Sequence, residues 1–307
     1  VRRLAGAPAF KVHVAIGDSL LHGGRYRTWD GAQIFEREWV IGFTYVQEDV
    51  AELRRILGQR YHVVVGNPPY ITVKDKAMNA LIRERYGSCK GKYALSVPFL
   101  ERFVELALPP DGARSAGFVG QITANSFMKR EFGSKLIEEY LPHWDLTHVI
   151  DASGAYIPGH GTPTVILFLR NRKPDTKTVR AVLGIRGEPT TPEDAAEGLV
   201  WRAIVDQVDQ PGSTSDFVSV EDKARAGFEQ HPWSIGGGGA ADLKSQLDEV
   251  AVGTLHQAVE SIGITSFTLE DDQYILPAHT AVRRSVPLQW TRLVVAGERV
   301  RDWATGP

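Results

Sequence analysis

The chain has 307 residues, 43% hydrophobic and 23% charged, the make-up of an ordinary globular protein of one large or two smaller domains. Its 35 Lys and Arg balance 37 Asp and Glu, so no overall charge points to nucleic acid or a membrane, and such a partner has to be met by a local patch. A single cysteine, Cys89, excludes an internal disulfide and a cysteine-cluster metal site and fits a reducing cytoplasm, and no apolar span is long enough to cross a bilayer.

The first segment, "FKVHVAIGD" (10–18), reads as a short strand ending in a turn. Helical spacing follows at Val46, Val50, Leu53 and Leu57, and "YHVVVG" (61–66) reads as a strand with apolar residues on both faces, as in a covered parallel sheet. Helices are predicted over "KDKAMNALIRERYG" and over 94–108, where Pro98 falls near the first turn. "SAGFVGQIT" is predicted as a strand, "FGSKLIEEYLP" as a helix, and "LTHVIDAS" and "TPTVILFLRN" as strands. The alternation implies a doubly wound α/β sheet. Further on, "TVRAVLGIRG" and "GLVWRAIVD" read as two more strands, and "VDQPGSTSD" as a polar loop. Four glycines, Gly236 to Gly239, then mark a domain junction at 233–239, ahead of a short helix.

The sharpest feature is the end of the second predicted strand, "GNPPY". Proline fixes φ and lacks an N–H, and the residue before a proline is forced extended. Pro68 and Pro69 therefore hold one backbone path with carbonyls towards the crevice, at the strand end where open α/β sheets bind ligands. Asn67 adds a side-chain acceptor, and Tyr70 a flat face for stacking. Two rigid acceptors converging on one point suit an exocyclic amine on a planar heterocycle. Such acceptors draw the nitrogen lone pair out of ring conjugation and aim it at an electrophilic methyl, with no metal needed.

Asn-Pro-Pro-Tyr after a strand resembles the catalytic motif of amino-methyltransferases that use S-adenosylmethionine on N6 of adenine. "VAIGDSLLHG" resembles their strand-end acidic motif, in which the acid (here Asp18, with Ser19 beside it) contacts the cofactor's adenine. The strings "GNPPYITVKDK", "ITANSFMKREFGSKLIEEYLPHWDLTHVIDASGAYIPGHGTPTVILF" and "PWSIGGGGA" resemble the PglX family of BREX type 2 (phage growth limitation) defence systems along nearly the whole chain. The resemblance implies a Rossmann-like sheet, S-adenosylmethionine as cofactor, and double-stranded DNA and other defence-system components as partners. It also implies catalytic and base-holding roles for Asn67, Pro68, Pro69 and Tyr70, and cofactor contacts from Asp18, Ser19 and Asn67. Residues 1–232 are read as a partial catalytic domain and 240–307 as the truncated start of a target recognition domain.

The resemblance also exposes a departure. The family's glycine-rich cofactor loop, Asp-Pro-x-x-Gly-x-Gly, is not found before Asp18, and the chain opens "VRRLAGAPAF" without Met. It therefore reads as a fragment starting at the family's third strand, with residues 10–18 either left unpaired or collapsed against a non-native edge, and the isolated chain unable to hold S-adenosylmethionine usefully. A catalytically inactive fragment or DNA-binding remnant, and a protein-glutamine methyltransferase, whose target amide is also planar with an NH2, are the alternatives. Candidate DNA contacts are Lys74, Lys76, Arg83 and Arg85 just after the catalytic loop, Lys129 and Arg130 past the next strand, and Tyr156 and His160 in "GAYIPGHG".

Overall fold

The computed structural model describes residues 11–22, 26–27, 34–35, 49–111, 115–159, 161–238, 243, 246–247, 249–261, 270–292, 294, 300–301 and 304–305. The chain divides into two compact units, Val1–Leu247 and Asp248–Pro307.

The first unit is built on a six-stranded mixed sheet. Its strands are β1 (Val63–Gly66), β2 (Phe118–Ala124), β3 (Asp145–Asp151), β4 (Thr164–Arg170), β5 (Thr178–Gly184) and β6 (Val218–Ala224), in the order β1-β2-β4-β3-β5-β6. β1 runs parallel to β2, with Gly66 opposite Gln121, and β3 parallel to β5. The β2–β4, β3–β4 and β5–β6 pairs are antiparallel. This is the expected α/β sheet.

Among the described residues four helices accompany it: α1 (Val50–Leu57), α2 (Lys76–Arg85), α3 (Ser96–Leu106) and α4 (Leu199–Gln207). The Asp49 carboxylate caps α1 by accepting from Glu52 N at 3.0 Å, and Asp75 caps α2 by accepting from Met78 N at 2.7 Å. Pro98 sits in the first turn of α3, where its missing N–H is not needed. Val97, Leu100 and Val104 of α3 pack with Val119, Val149, Val165, Leu167 and Leu169 to form the main core on one face of the sheet. α4 covers the other face at the β5–β6 end through Val200 and Ile204. Among the described residues, no helix is long and apolar enough to cross a membrane.

Several expectations change. Residues 11–16 form no strand, and Val12, Val14 and Ile16 are exposed. β1 is not covered on both faces: Val64 packs inward, while Val63 and Val65 are 59% and 71% exposed on a face that also leaves Phe118 and Phe168 of the interior strands β2 and β4 exposed, so no described element covers it there. "GLVWRAIVD" is helix α4, not a strand, because Val200 and Ile204 are four apart and the Glu188 carboxylate caps the N–H groups of Leu199 (2.7 Å) and Val200 (3.0 Å). The predicted helix in "FGSKLIEEYLP" is a π turn, Leu136–Tyr140, flanked by 3₁₀ turns. Pro142 has no N–H to extend an α pattern, and a Cβ on Gly133 would meet the Phe127 carbonyl oxygen at 1.8 Å. β6 was not expected; it is an edge strand whose Asp222 forms a two-point ion pair with Arg180 opposite it, at 2.5 and 3.2 Å.

The glycine run begins docked on the sheet rather than hanging as a linker. Trp233 is buried against Phe127 and Phe228, donating Nε1–H to the Phe228 carbonyl at 3.1 Å. Gly237 N–H donates to the Gly184 carbonyl at 2.9 Å. The division between the units follows Leu247, beyond the predicted junction. The second unit shows short helices, Leu255–Ala258, Asp271–Tyr274 and Ala278–Arg283, and an antiparallel pair, Val300–Arg301 with Ala304–Thr305. The short helix predicted after the glycines lies largely outside the described residues.

If residues 233–237 belong to the core, Trp233→Ala should destabilise the first unit by about 3–5 kcal/mol, as large-to-small core changes do. Urea unfolding followed by far-UV circular dichroism measures it, and a loss below about 1 kcal/mol would return the segment to linker status.

Candidate active site

The corner after β1 is fixed from below and from behind. A Cβ on Gly66 would lie 2.5 Å from Phe103 Cζ of α3, so the backbone passes directly over that ring. Pro68 is buried, Asn67 and Pro69 are exposed and Tyr70 is half-buried. Past the corner, Leu95 N–H donates to the Ile71 carbonyl at 2.9 Å and Thr72 bridges Ala94, which ties the loop to the start of α3. The Tyr70 hydroxyl donates to Asn67 Oδ1 at 2.7 Å, and burial raises the phenol's pKa. An amide oxygen has two lone pairs, so this bond leaves Asn67 able to accept from an amine as well.

Asp18 lies across a cleft from this loop. Its Oδ1 accepts from the N–H groups of Leu20 (2.9 Å) and Leu21 (3.0 Å), and His22 N–H returns to its carbonyl at 3.1 Å, closing a tight turn. The cleft, about 1020 Å³, is lined by Asp18, Ser19, Pro69 and Lys74 and by apolar side chains including Met78, Ile82 and Phe99. The structure thus brings Asp18, Ser19 and Pro69 to one cavity, with Asn67 and Tyr70 in the same loop but not among its lining residues. A carboxylate above an apolar floor matches a flat heterocycle carrying an amine.

Beneath the cleft is a cluster of buried charges that sequence reading did not single out. Glu101, Arg102 and Glu105 of α3 are 7%, 1% and 7% exposed. Arg102 Nη1 donates to Glu105 at 2.9 Å, and Glu101 accepts from the N–H groups of Gly87 and Ser88 and from the Ser88 hydroxyl at 2.7 Å. Burial pushes the Glu101 carboxyl up to about 7, against the lowering effect of its Ser88 donors, and burial also raises Glu105 against the pull of Arg102. The signal was present: "SVPFLERFVEL" is apolar around most of its circumference, so its charges had to be buried and bonded.

The basic candidates separate. Lys74, Lys76, Lys129 and Arg130 are exposed, and Lys74 also lines the cleft. Arg83 is exposed, yet its guanidinium donates to the Gly91 carbonyl at 2.6 Å and lies over the Tyr93 ring. Arg85 is a correction: at 4% exposure, with Nη1 donating to the Leu21 carbonyl at 2.9 Å, it is not placed to meet a phosphate. It continues the buried Met78–Ile82 stripe of α2, so helical spacing alone turns it inward. Tyr156 is half-buried, and His160 lies outside the described residues.

Residues 28–157 match the family of Eco57I restriction-modification methylases. The chain is 48% identical over 316 aligned residues to the adenine-specific methyltransferase PglX of Streptomyces coelicolor. The match takes in 99% of this chain but 26% of that protein, so the chain spans about a quarter of its relative's length. Among solved structures, the modification subunit of a putative type I restriction enzyme from Vibrio vulnificus aligns with a TM-score of 0.41 at 16% identity, over 53% of this chain and 34% of that one. A type I restriction-modification methyltransferase subunit from Streptococcus thermophilus gives 0.39 at 13% identity, over 54% and 35%.

The raised Glu101 carboxyl makes stability depend on pH in this chain. Its folded pKa of about 7 lies above its ordinary 4.5, so the folded state holds the proton more tightly. The stability it contributes is full below pH 4.5 and is lost as pH rises through 7. Glu101→Gln should flatten that fall, by up to about 3 kcal/mol across the window, in urea titrations at several pH values. An unchanged slope would show that Glu101 does not carry it.

Proposed function

We propose that this chain carries the catalytic corner of a DNA methyltransferase that transfers a methyl group from S-adenosylmethionine to N6 of adenine, within an anti-phage defence system. The observation that carries this reading is the Asn67-Pro68-Pro69-Tyr70 corner at the carboxyl end of β1, whose Pro69 lines one cleft together with Asp18. The adenine-specific activity in the relative's name supports it.

The cleft's donor set fits the adenine end of the cofactor: Asp18 as acceptor for the ring amine, with Met78, Ile82 and Phe99 as apolar contacts. When bound, S-adenosylmethionine supplies an electrophilic methyl on sulfur. Asn67 Oδ1 and the Pro68 carbonyl accept the two N–H groups of the target amine, which turns its lone pair out of the ring and towards that methyl. Tyr70 stacks on the base. In duplex DNA the adenine has to leave the helix to reach this corner, an exchange in which Tyr70 replaces a neighbouring base. Lys74, Lys76, Lys129 and Arg130 remain the candidates for backbone phosphates, and residues 240–307 for the start of a region that reads DNA sequence.

The deciding assay is methylation of duplex DNA by the purified full-length protein with S-adenosylmethionine. N6-methyladenine in the digested product is the expected result, and methylation of cytosine or of protein glutamine alone would overturn it. Within that assay, Asn67→Ala should lower the rate about a hundredfold or more with the fold intact, the scale of losing one preorganised contact to the reacting group. Near-normal activity would remove Asn67 from the chemistry.

Tyr70 gives a separate outcome. Tyr70→Ala should weaken base binding by about 1–3 kcal/mol, whereas Phe keeps the stacking face and most of the activity. A Phe variant as impaired as Ala would shift the weight from the ring to the hydroxyl that bonds Asn67.

A further inference from the structure

Four consecutive backbone carbonyls in the Asp18 turn are each taken by a side chain distant in sequence. Arg102 Nε donates to the Ser19 carbonyl at 3.1 Å and Arg102 Nη2 to the His22 carbonyl at 2.8 Å. The Tyr86 hydroxyl donates to Leu20 at 2.7 Å and Arg85 Nη1 to Leu21 at 2.9 Å. All three donor residues are nearly or wholly buried, Tyr86 completely so. On its other side the same turn is closed by the Asp18 carboxylate.

Packing alone does not call for this arrangement. Leu20 and Leu21 are buried, and an aliphatic residue would fill the space of a buried guanidinium without the desolvation penalty of a charge. What the donors add is direction: they fix where four carbonyls point and therefore where the side chain that starts the turn points. That side chain is Asp18, which lines the cleft.

We propose that Arg85, Tyr86 and Arg102 are positioning residues for cofactor recognition: they hold the Asp18 turn at the wall of the cleft. The proposal rests on the reading of Asp18 given under Proposed function. It also joins the two halves of the site. α2 starts at Lys76, directly after the catalytic loop, supplies Met78 and Ile82 to the cleft floor, and ends at the Arg85–Tyr86 pair that grips the turn. A shift of α2 on binding at the catalytic loop is therefore transmitted to Asp18 through two hydrogen bonds rather than through solvent.

Tyr86→Phe in the full-length protein is the test, because it removes one hydroxyl and keeps the ring. In the cofactor-free protein, hydrogen exchange at the Leu20, Leu21 and His22 amides should quicken by about tenfold, the factor for one hydrogen bond of ordinary strength. Calorimetric titration should show S-adenosylmethionine binding weakened by about the same factor, with the loss in KM for the cofactor rather than in kcat at saturation. Arg102→Lys, which keeps a positive charge beside Glu105 but cannot reach both carbonyls, should act in the same direction and serves if Tyr86→Phe folds poorly. Unchanged exchange at the three amides in both variants overturns the clamp. Faster exchange with unchanged cofactor affinity overturns its role in recognition. Asp18→Ala separates the underlying reading: if that variant binds S-adenosylmethionine normally, the assignment of Asp18 is what has failed.

Discussion

Helix α3 is enclosed on nearly every side, and an ionised group in such a place has to be paired, bonded or neutralised. Glu101, Arg102 and Glu105 meet that demand with the backbone of the site itself. Arg102 takes two carbonyls of the Asp18 turn, and Glu101 takes the N–H groups of Gly87 and Ser88 just past α2. Ahead of the same helix, Leu95 N–H holds the loop that follows the catalytic corner. The Asp18 turn, the end of α2 and the Asn67–Tyr70 loop are therefore all referred to one rigid element.

That dependence follows from where β1 sits. Among the described residues it is a four-residue edge strand paired only with β2, so the sheet holds it from one side. Rigidity at its end has to come from elsewhere. Pro68 and Pro69 remove two backbone freedoms, and Phe103 of α3 sits so close to Gly66 that the corner cannot sink. The strand contributes direction; the prolines and α3 contribute stiffness.

Most of this was legible in the sequence where local pattern and tertiary environment agree. The runs that became β2, β3, β4 and β5 each carry the apolar residues of one buried face, and α2 and α3 carry clear helical spacing. The reading failed where the environment decides. Residues 10–18 have strand-like residues but no pairing partner among the described residues, and strand formation needs a neighbour as well as a propensity. α4 was misread because its apolar density hid the four-residue spacing of Val200 and Ile204. β6 was passed over because "VSVEDKA" is half polar, as an edge strand tends to be. At the site, the corner and Asp18 were visible as motifs, whereas the clamp was not. Arg85 was grouped with its basic neighbours by composition, and only the facing of α2 separates it from Arg83.

The bond between Tyr70 and Asn67 bears on selectivity. The backbone of the corner is fixed, but the hydrogen bond across it joins two side chains, so it can be shared or exchanged without moving the chain. Replacing one hydroxyl donor with one amine donor is close to neutral in free energy, since a bond is kept at the same acceptor. A planar ligand without an N–H group offers no such replacement, and the bond between Tyr70 and Asn67 then stays as it is. On the proposed reading, discrimination for an amine-bearing base therefore comes from the hydrogen bond that only an amine adds at Asn67 Oδ1.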